Sequence, residues 1–343
     1  MFAKMRKTLV SLTLAGLGLA AIVRALRPRA NVAGKNVVVT GGGRGLGLQI
    51  AREAAKRGAR VGLCSRSEAE LGSARAELEA NGAFVATTVC DVRDQASVDR
   101  AFAELSTRLG PIDVLFNVAG VIGVGPIEAL KPSDFYDAMD TNFFGALRAT
   151  YAVLPAMRAR RSGSIVNITS LGGAISIPHM LPYCASKFAL LGFSQGLAAE
   201  AALAGVRVTT VIPGLMRTGS PPHATFAGRP RKEYALFALS DATPLTSVSV
   251  AHAAKVIVDG CERGAQRVII SWQAKFAMLA NGLLPRLVLR VLTLAGFVLP
   301  DAGERPEVRS GFESESWLTR SPLNAMSNHA SVSQNETIDP NSK

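Results

Sequence analysis

Several function classes are excluded by what this chain has little of. Aromatic residues make up only 6% of its 343 residues, and no run of lysine and arginine alternates with stacking side chains as single-strand nucleic-acid binders require. Nucleic acid is therefore not an expected partner, although the formal net charge is +12. The four cysteines, Cys64, Cys90, Cys184 and Cys261, form no C-x-x-C pair, so a reducing compartment is the simpler expectation. The four histidines, His179, His223, His252 and His329, are scattered without metal-ligand spacing, which argues against metal chemistry. The uncharged apolar run at residues 9–23, "LVSLTLAGLGLAAIV", falls short of the roughly 20 residues that comfortably cross a bilayer core.

What surrounds that run is basic. Lys4, Arg6 and Lys7 precede it and Arg24, Arg27 and Arg29 follow it, an arrangement that suits anionic lipid head groups. Residues 1–30 are expected to be an uncleaved membrane anchor. A signal or targeting peptide and a buried helix remain open, although "RALRPRANVAGK" after the run offers no convincing small-residue cleavage site. Both flanks being basic, charge does not set an orientation. A second apolar stretch, "AKFAMLANGLLPRLVLRVLTLAGFVLP", is interrupted by Lys275, Pro285, Arg286 and Arg290. Residues 273–300 are accordingly expected to be a helical extension lying in a membrane interface or capping an apolar pocket, with a buried oligomer helix as the alternative. Residues 301–343, rich in Ser, Asn, Glu and Pro, are expected to be a disordered tail.

Between these ends, over residues 31–272, short β-branched runs alternate with amphipathic helical stretches. The expected strands are "KNVVVT", "ARVGLCS", "FVATTVCD", "DVLFNVAG", "GSIVNITS", "VRVTTVIPG" and "RVIIS". Apolar runs separated by helices imply a parallel sheet buried on both faces, that is, a single doubly wound α/β domain.

The first strand runs into "TGGGRGLGLQIAREAAKRG". Gly41, Gly45 and Gly47 allow a sharp turn, a close approach of a pyrophosphate to the backbone, and tight packing of the next helix on the sheet. The helix N-terminus meets phosphates with free amides and a positive dipole. No G-K-[ST] follows, which removes the P-loop reading and leaves dinucleotide binding. At the end of the second strand, where NAD binders carry an acid for the ribose hydroxyls, the chain reads "LCSRS". Ser65 and Arg66 stand there, and Arg44 lies inside the glycine turn; two cations suit a 2′-phosphate, so NADP(H) is favoured over NAD(H).

In "LPYCASKFALLGF", Tyr183 and Lys187 are four residues apart, hence one turn apart on the same face of a helix. A cation beside a phenol lowers its pKa, which suits the pair to proton exchange near neutral pH. Taken in order, "TGGGRGLG" at residues 40–47, "CDV" at 90–92, "NVAG" at 117–120, "TNFFG" at 141–145, "ITS" ending at Ser170, "YCASK" at 183–187, and Pro213 with Gly214 make the chain resemble the short-chain dehydrogenase/reductases over roughly residues 35–270.

That resemblance implies a single Rossmann domain in which Tyr183 is the general acid/base, Lys187 lowers its pKa and holds the nicotinamide ribose, and Ser170 orients the substrate oxygen. Asn142 would hold the water through which Lys187 exchanges protons. Toward the cofactor it implies Leu46 in the glycine turn, Asp91 at the adenine with Val92 beside it, and Asn117 supporting the sheet ahead of Ala119 and Gly120. Pro213 and Gly214 follow the next-to-last strand, and Thr218 would bind the carboxamide. Val118 departs from the family pattern, which usually repeats Asn there. The implied activity is hydride transfer between a nicotinamide and a carbonyl or alcohol carbon, and the family suggests a homo-oligomer.

The apolar ends point to a membrane-associated enzyme acting on a lipophilic alcohol or ketone of steroid, retinoid or long-chain lipid type, and the supply of NADPH suggests a catalytic domain facing the cytoplasm. A 3-oxoacyl thioester reductase and a non-catalytic NADP-binding regulator are the alternatives. "NITSLGG" is no G-x-S-x-G elbow, so a hydrolytic role for Ser170 is disfavoured. Residues 215–245 look loop-like, with Phe226, Tyr234 and Phe237 either lining a substrate pocket or packing in a lid.

Overall fold

The computed structural model describes residues 31–242, 247–304, 306–315 and 333–336. The expected anchor at residues 1–30 lies outside them. In chain order the strands are β1 (Asn36–Thr40), β2 (Arg60–Ser65), β3 (Val85–Val89), β4 (Val114–Asn117), β5 (Gly123–Val124), β6 (Gly163–Ile168), β7 (Val206–Ile212), β8 (Leu215–Arg217), β9 (Thr225–Gly228), β10 (Ser247–Ser249), β11 (Arg267–Ile269) and β12 (Glu307–Ser310). The helices are α1 (Gly45–Lys56), α2 (Glu68–Ala80), α3 (Gln95–Leu109), α4 (Pro132–Met139), α5 (Gly145–Ala159), α6 (Leu181–Ala202), α7 (Pro230–Ala242), α8 (Val250–Glu262), α9 (Trp272–Leu283), α10 (Pro285–Gly296) and α11 (Gly311–Ser314), with a π-helical turn at Asp140–Phe144.

Seven strands form one sheet in the order β11-β7-β6-β4-β1-β2-β3, every neighbouring pair parallel. Parallel strands are covered by helices on both faces, so alternate residues go to opposite cores. Val37 and Val39 of β1 join the core under α1, α2 and α8, while Val38 joins the one under α3, α5 and α6. The chain winds outward from β1 through β2 to β3 and then returns to β4 on the other side. The carboxyl ends of β1 and β4 thus flank the switch point, where a doubly wound sheet opens a crevice for ligands.

Two smaller sheets, β10-β8 and β12-β9-β5, lie outside the main one. They change two expectations. Residues 215–242 are not a loop but contain β8, β9 and α7. Glu307–Ser310, placed within a disordered tail by composition, pairs antiparallel with Thr225–Gly228, so the ladder supplies backbone partners that local sequence does not announce. The apolar extension is a helical hairpin, α9 and α10, bent by 119°. No single described helix is long and apolar enough to cross a membrane.

Candidate active site

The glycine turn leaves β1 at the switch point. Gly41 has φ +67°, and a Cβ there would lie 2.9 Å from the Ala119 Cα. A Cβ on Gly47 would lie 2.0 Å from the Gly41 carbonyl oxygen, so helix α1 sits closer to the turn than any side chain permits. Thr40 ties the two flanking strands together: its hydroxyl accepts from the Val118 and Ala119 amides at 3.1 and 3.3 Å. Leu46 is buried. Ser65 Oγ would stand 3.1 Å from a Cβ on Gly43 and itself donates to the Ser67 carbonyl at 3.3 Å. This is a narrow backbone cradle at a helix N-terminus, the shape a pyrophosphate requires.

The cations expected beside the cradle are present, together with acids the sequence did not flag. Arg44 is ion-paired with Glu70 at 3.4 Å and with Glu336, while Arg66 is exposed. Burial raises the Glu70 carboxyl, and Arg44 and then Arg66 oppose the shift. Asp91, after β3, is half-buried and chelated by Arg93, whose side chain holds its carboxyl below the ordinary range despite partial burial. Val92 is buried against Gly145.

Helix α6 presents Tyr183 and Lys187 one turn apart, as the spacing predicts. The Ser170 hydroxyl lies beside Tyr183 and favours its ionised form. A Cβ on Gly172 would stand 3.3 Å from the Tyr183 ring edge and 3.5 Å from Ser170 Oγ. Ser170 Oγ also accepts from the Gly172 amide at 3.1 Å, which fixes the short turn after β6. Lys187 is buried and its Nζ donates to the Ile168 carbonyl at 3.0 Å. One expectation is corrected here: burial pushes the Tyr183 phenol up to about 12, Ser170 opposing, and pushes Lys187 down to about 8. With Nζ 5.8 Å from the ring centre, desolvation outweighs the attraction between them.

Asn142 is fully buried in the π-helical turn. Its Oδ1 accepts from the Val121 amide at 2.8 Å, and its Nδ2 donates to Ser186 Oγ at 2.8 Å and the Val121 carbonyl at 3.1 Å. A Cβ on Gly120 would lie 2.8 Å from Asn142 Oδ1 and 3.6 Å from Lys187 Nζ, so these three residues converge. Deeper in the sheet, Asn117 Nδ2 donates to Asn167 Oδ1 at 2.9 Å, Asn167 Nδ2 to Ser194 Oγ at 3.0 Å, and Ser194 shares a 2.7 Å bond with Thr210. This buried polar chain stitches β4, β6 and β7 to α6 and fixes the height of the helix that carries Tyr183.

Pro213 accepts from the Leu171 amide at 2.8 Å, and Gly214 lies against Ser271. Thr218 is buried and donates to Ser220 Oγ at 2.8 Å. Phe226 packs edge to face on both Tyr234 and Phe237, with Val124 and Ala238 in the same cluster. No local sequence pattern marks Ser186, Asn167 or the part-buried pair of His179, just ahead of α6, with Glu233, 2.7 Å apart. Nor does any local pattern mark the contact of residues 333–336 with the glycine turn. The polar residues lie in apolar or loop-like surroundings, and their partners are distant in sequence.

The family model for short chain dehydrogenases matches residues 35–224. Dehydrogenase/reductase SDR family member 7B of Danio rerio is 34% identical over 278 residues, covering 79% of this chain and 88% of that protein. The 17-beta-hydroxysteroid dehydrogenase 13 of Rattus norvegicus is 32% identical over 194 residues, 56% of this chain and 65% of that one. Among solved structures, a variant of actinorhodin polyketide ketoreductase with NADPH is similar at a TM-score of 0.62 and 32% identity, covering 70% of this chain and 97% of that chain.

Proposed function

The chain belongs to the short-chain dehydrogenase/reductase family, an oxidoreductase acting on CH–OH groups, and on that premise we propose that it reduces a lipophilic ketone, or oxidises the matching alcohol, with NADP(H). The observation that carries this reading is the convergence of Ser170, Tyr183, Lys187 and Asn142 beside the glycine cradle. NADP(H), when bound, supplies or takes the hydride, so the protein itself needs only to manage a proton and an oxygen.

Ser170 and Tyr183 hold that oxygen with two hydroxyls, and Tyr183 passes its proton to it as charge develops. Lys187 keeps an ammonium close to the phenol and replaces the proton Tyr183 gives up. Asn142, pinned by Ser186 and Val121, holds the lysine end of this path and the water that joins it to solvent. Gly41, Gly45, Leu46 and Gly47 cradle the pyrophosphate, and Asp91, Val92, Asn117, Ala119 and Gly120 continue the cofactor wall. Pro213, Gly214 and Thr218 close it on the far side. Arg44 and Arg66, with Ser65, favour the 2′-phosphate of NADP(H) over the bare ribose of NAD(H).

The lipophilic substrate and the membrane rest on the α9–α10 hairpin. Trp272, Phe276, Leu283, Leu287, Leu294 and Phe297 are all exposed there. Residues 272–300 contain Lys275, Arg286 and Arg290 but no acid, the composition of a helix that lies in an anionic lipid surface. Phe144, Tyr151 and Phe188, exposed around α5 and α6, offer a surface for a second copy of the chain. A 3-oxoacyl thioester is the second substrate class, favoured by the similarity to a polyketide ketoreductase.

The test is a panel of steroid, retinoid, long-chain and acyl-thioester carbonyls with NADPH and NADH, paired with flotation on anionic vesicles of the full chain and of a chain starting at Asn31. Turnover of lipophilic ketones with NADPH and flotation of both chains are expected. Preference for small polar ketones, or failure of both chains to float, would contradict the reading.

A further inference from the structure

Residues 333–336 are far from the glycine turn in sequence and lie directly on it in space. The Gly45 amide donates to the Gln334 carbonyl at 2.8 Å. Asn335 Nδ2 donates to the carbonyls of Gly43 at 2.9 Å and Glu70 at 3.2 Å. The Glu336 carboxylate is ion-paired with Arg44 and lies 3.1 Å from His223 Nε2. Arg52 on α1 donates to the Gln334 side chain and to the Ser333 carbonyl, each at 2.9 Å. Gln334 and Glu336 are 6% and 2% exposed.

These contacts occupy groups that a dinucleotide would use. The Gly45 amide is one of the free donors at the α1 N-terminus, where an anion is held by backbone N–H groups and the helix dipole. Arg44 is the turn's own cation. A Cβ on Gly45 would collide with Glu336 Oε1, so the carboxylate comes as near the backbone as a pyrophosphate must. A carboxyl oxygen and a phosphate oxygen are alike to such a site: both accept from backbone N–H groups and from arginine. Glu70 shares Arg44 with Glu336, and His223 faces the same carboxyl.

We infer that the segment at residues 333–336 is an intramolecular competitor for the cofactor, its Glu336 carboxylate standing where a dinucleotide phosphate would bind, so that cofactor entry requires the segment to leave. The inference rests on the reading of the glycine turn as the dinucleotide site. Its energetic form is simple: if the segment is docked most of the time, the apparent affinity falls by the fraction of molecules in which it is not.

The test measures NADPH affinity by direct binding in three proteins: the full chain, a chain ending after Glu315, and the full chain carrying Asn335→Ala with Glu336→Ala. The double substitution keeps the test valid should the shortened chain fail to fold. Both altered proteins are expected to bind NADPH about tenfold tighter or more. A peptide of residues 331–340 is expected to weaken NADPH binding to the shortened chain competitively. Amide hydrogen exchange at residues 333–336 of the full chain is expected to rise when NADPH is added. Equal and tight NADPH affinity in all three proteins, with no effect of the peptide, would overturn the competitor while leaving the cofactor site intact. No binding of NADPH or NADH by any of the three would overturn the dinucleotide reading and the competitor with it.

Discussion

Lys187 Nζ lies 5.8 Å from the centre of the Tyr183 ring and donates to the Ile168 carbonyl at 3.0 Å. The two groups are therefore neighbours without being a tight pair, and burial moves them in opposite directions, Tyr183 up to about 12 and Lys187 down to about 8. Lys187 loses its proton as pH rises through about 8, well before Tyr183 does. Ketone reduction is expected to fall on the alkaline side with an apparent pKa near that value, and Lys187→Met should abolish the limb along with most of the turnover. The sign for stability is the reverse of a paired lysine's. A pKa depressed from 10.5 means that folding gains stability as pH rises from about 8 toward the unfolded value, by up to about 3 kcal/mol. Unfolding curves of wild type and Lys187→Met should therefore converge or cross across that window, and parallel curves would contradict the burial argument.

Ser186 sits beside Lys187 in sequence and holds Asn142 from the other side. Ser186→Ala removes the 2.8 Å bond to Asn142 Nδ2 and should cost about 1 kcal/mol in urea unfolding. Because it also loosens the residue that positions the lysine end of the proton path, kcat should drop about tenfold while KM changes little. A change confined to stability would reduce Ser186 to a packing residue.

Gly47→Ala places a methyl 2.0 Å from a backbone oxygen that has nowhere to go. Its cost is expected at about 3 kcal/mol, with NADPH binding lost in whatever folded protein remains. Near-normal binding in a titration would mean that the turn opens more readily than its packing implies.

The sequence was most readable where structure is set by nearest neighbours. All seven strands of the main sheet were marked by their apolar runs, and Val37, Val38 and Val39 illustrate why: in a parallel sheet every position is buried, so the run is continuous. Tyr183 and Lys187 were recognisable because a helix brings i and i+4 together whatever else the fold does. Their protonation was not, since its sign depends on desolvation by residues from other elements. Asn117 with Asn167, Asn142 with Ser186, and Thr225–Gly228 with Glu307–Ser310 were hidden for the same reason. Composition described the chain after Asp301 as a tail, yet Glu336 meets Arg44 across 292 positions, a contact that no local pattern encodes.

The docked segment should respond to pH. Burial holds the Glu336 carboxyl up at about 7, with Arg44 on the glycine turn pulling it down and Glu70 on α2 pushing it up; His223 faces it from the turn ahead of β9. Released, the carboxyl returns toward 4.5, so docking takes up a proton and is weakened as pH rises through about 7. The ratio of NADPH dissociation constants between the full chain and the chain ending after Glu315 should shrink between about pH 6 and pH 8. A ratio that grows over that range would contradict the assignment of Glu336.

The most direct test of the account is turnover and NADPH binding measured side by side on wild type and Tyr183→Phe. The phenol is proposed to give its proton to the substrate oxygen, and the ring without its hydroxyl still packs on Gly172. The account predicts a fall in kcat of at least about 1,000-fold, about 4 kcal/mol in the barrier, with the NADPH dissociation constant within a few-fold of wild type. A Phe variant that turns over at a rate near wild type would contradict it.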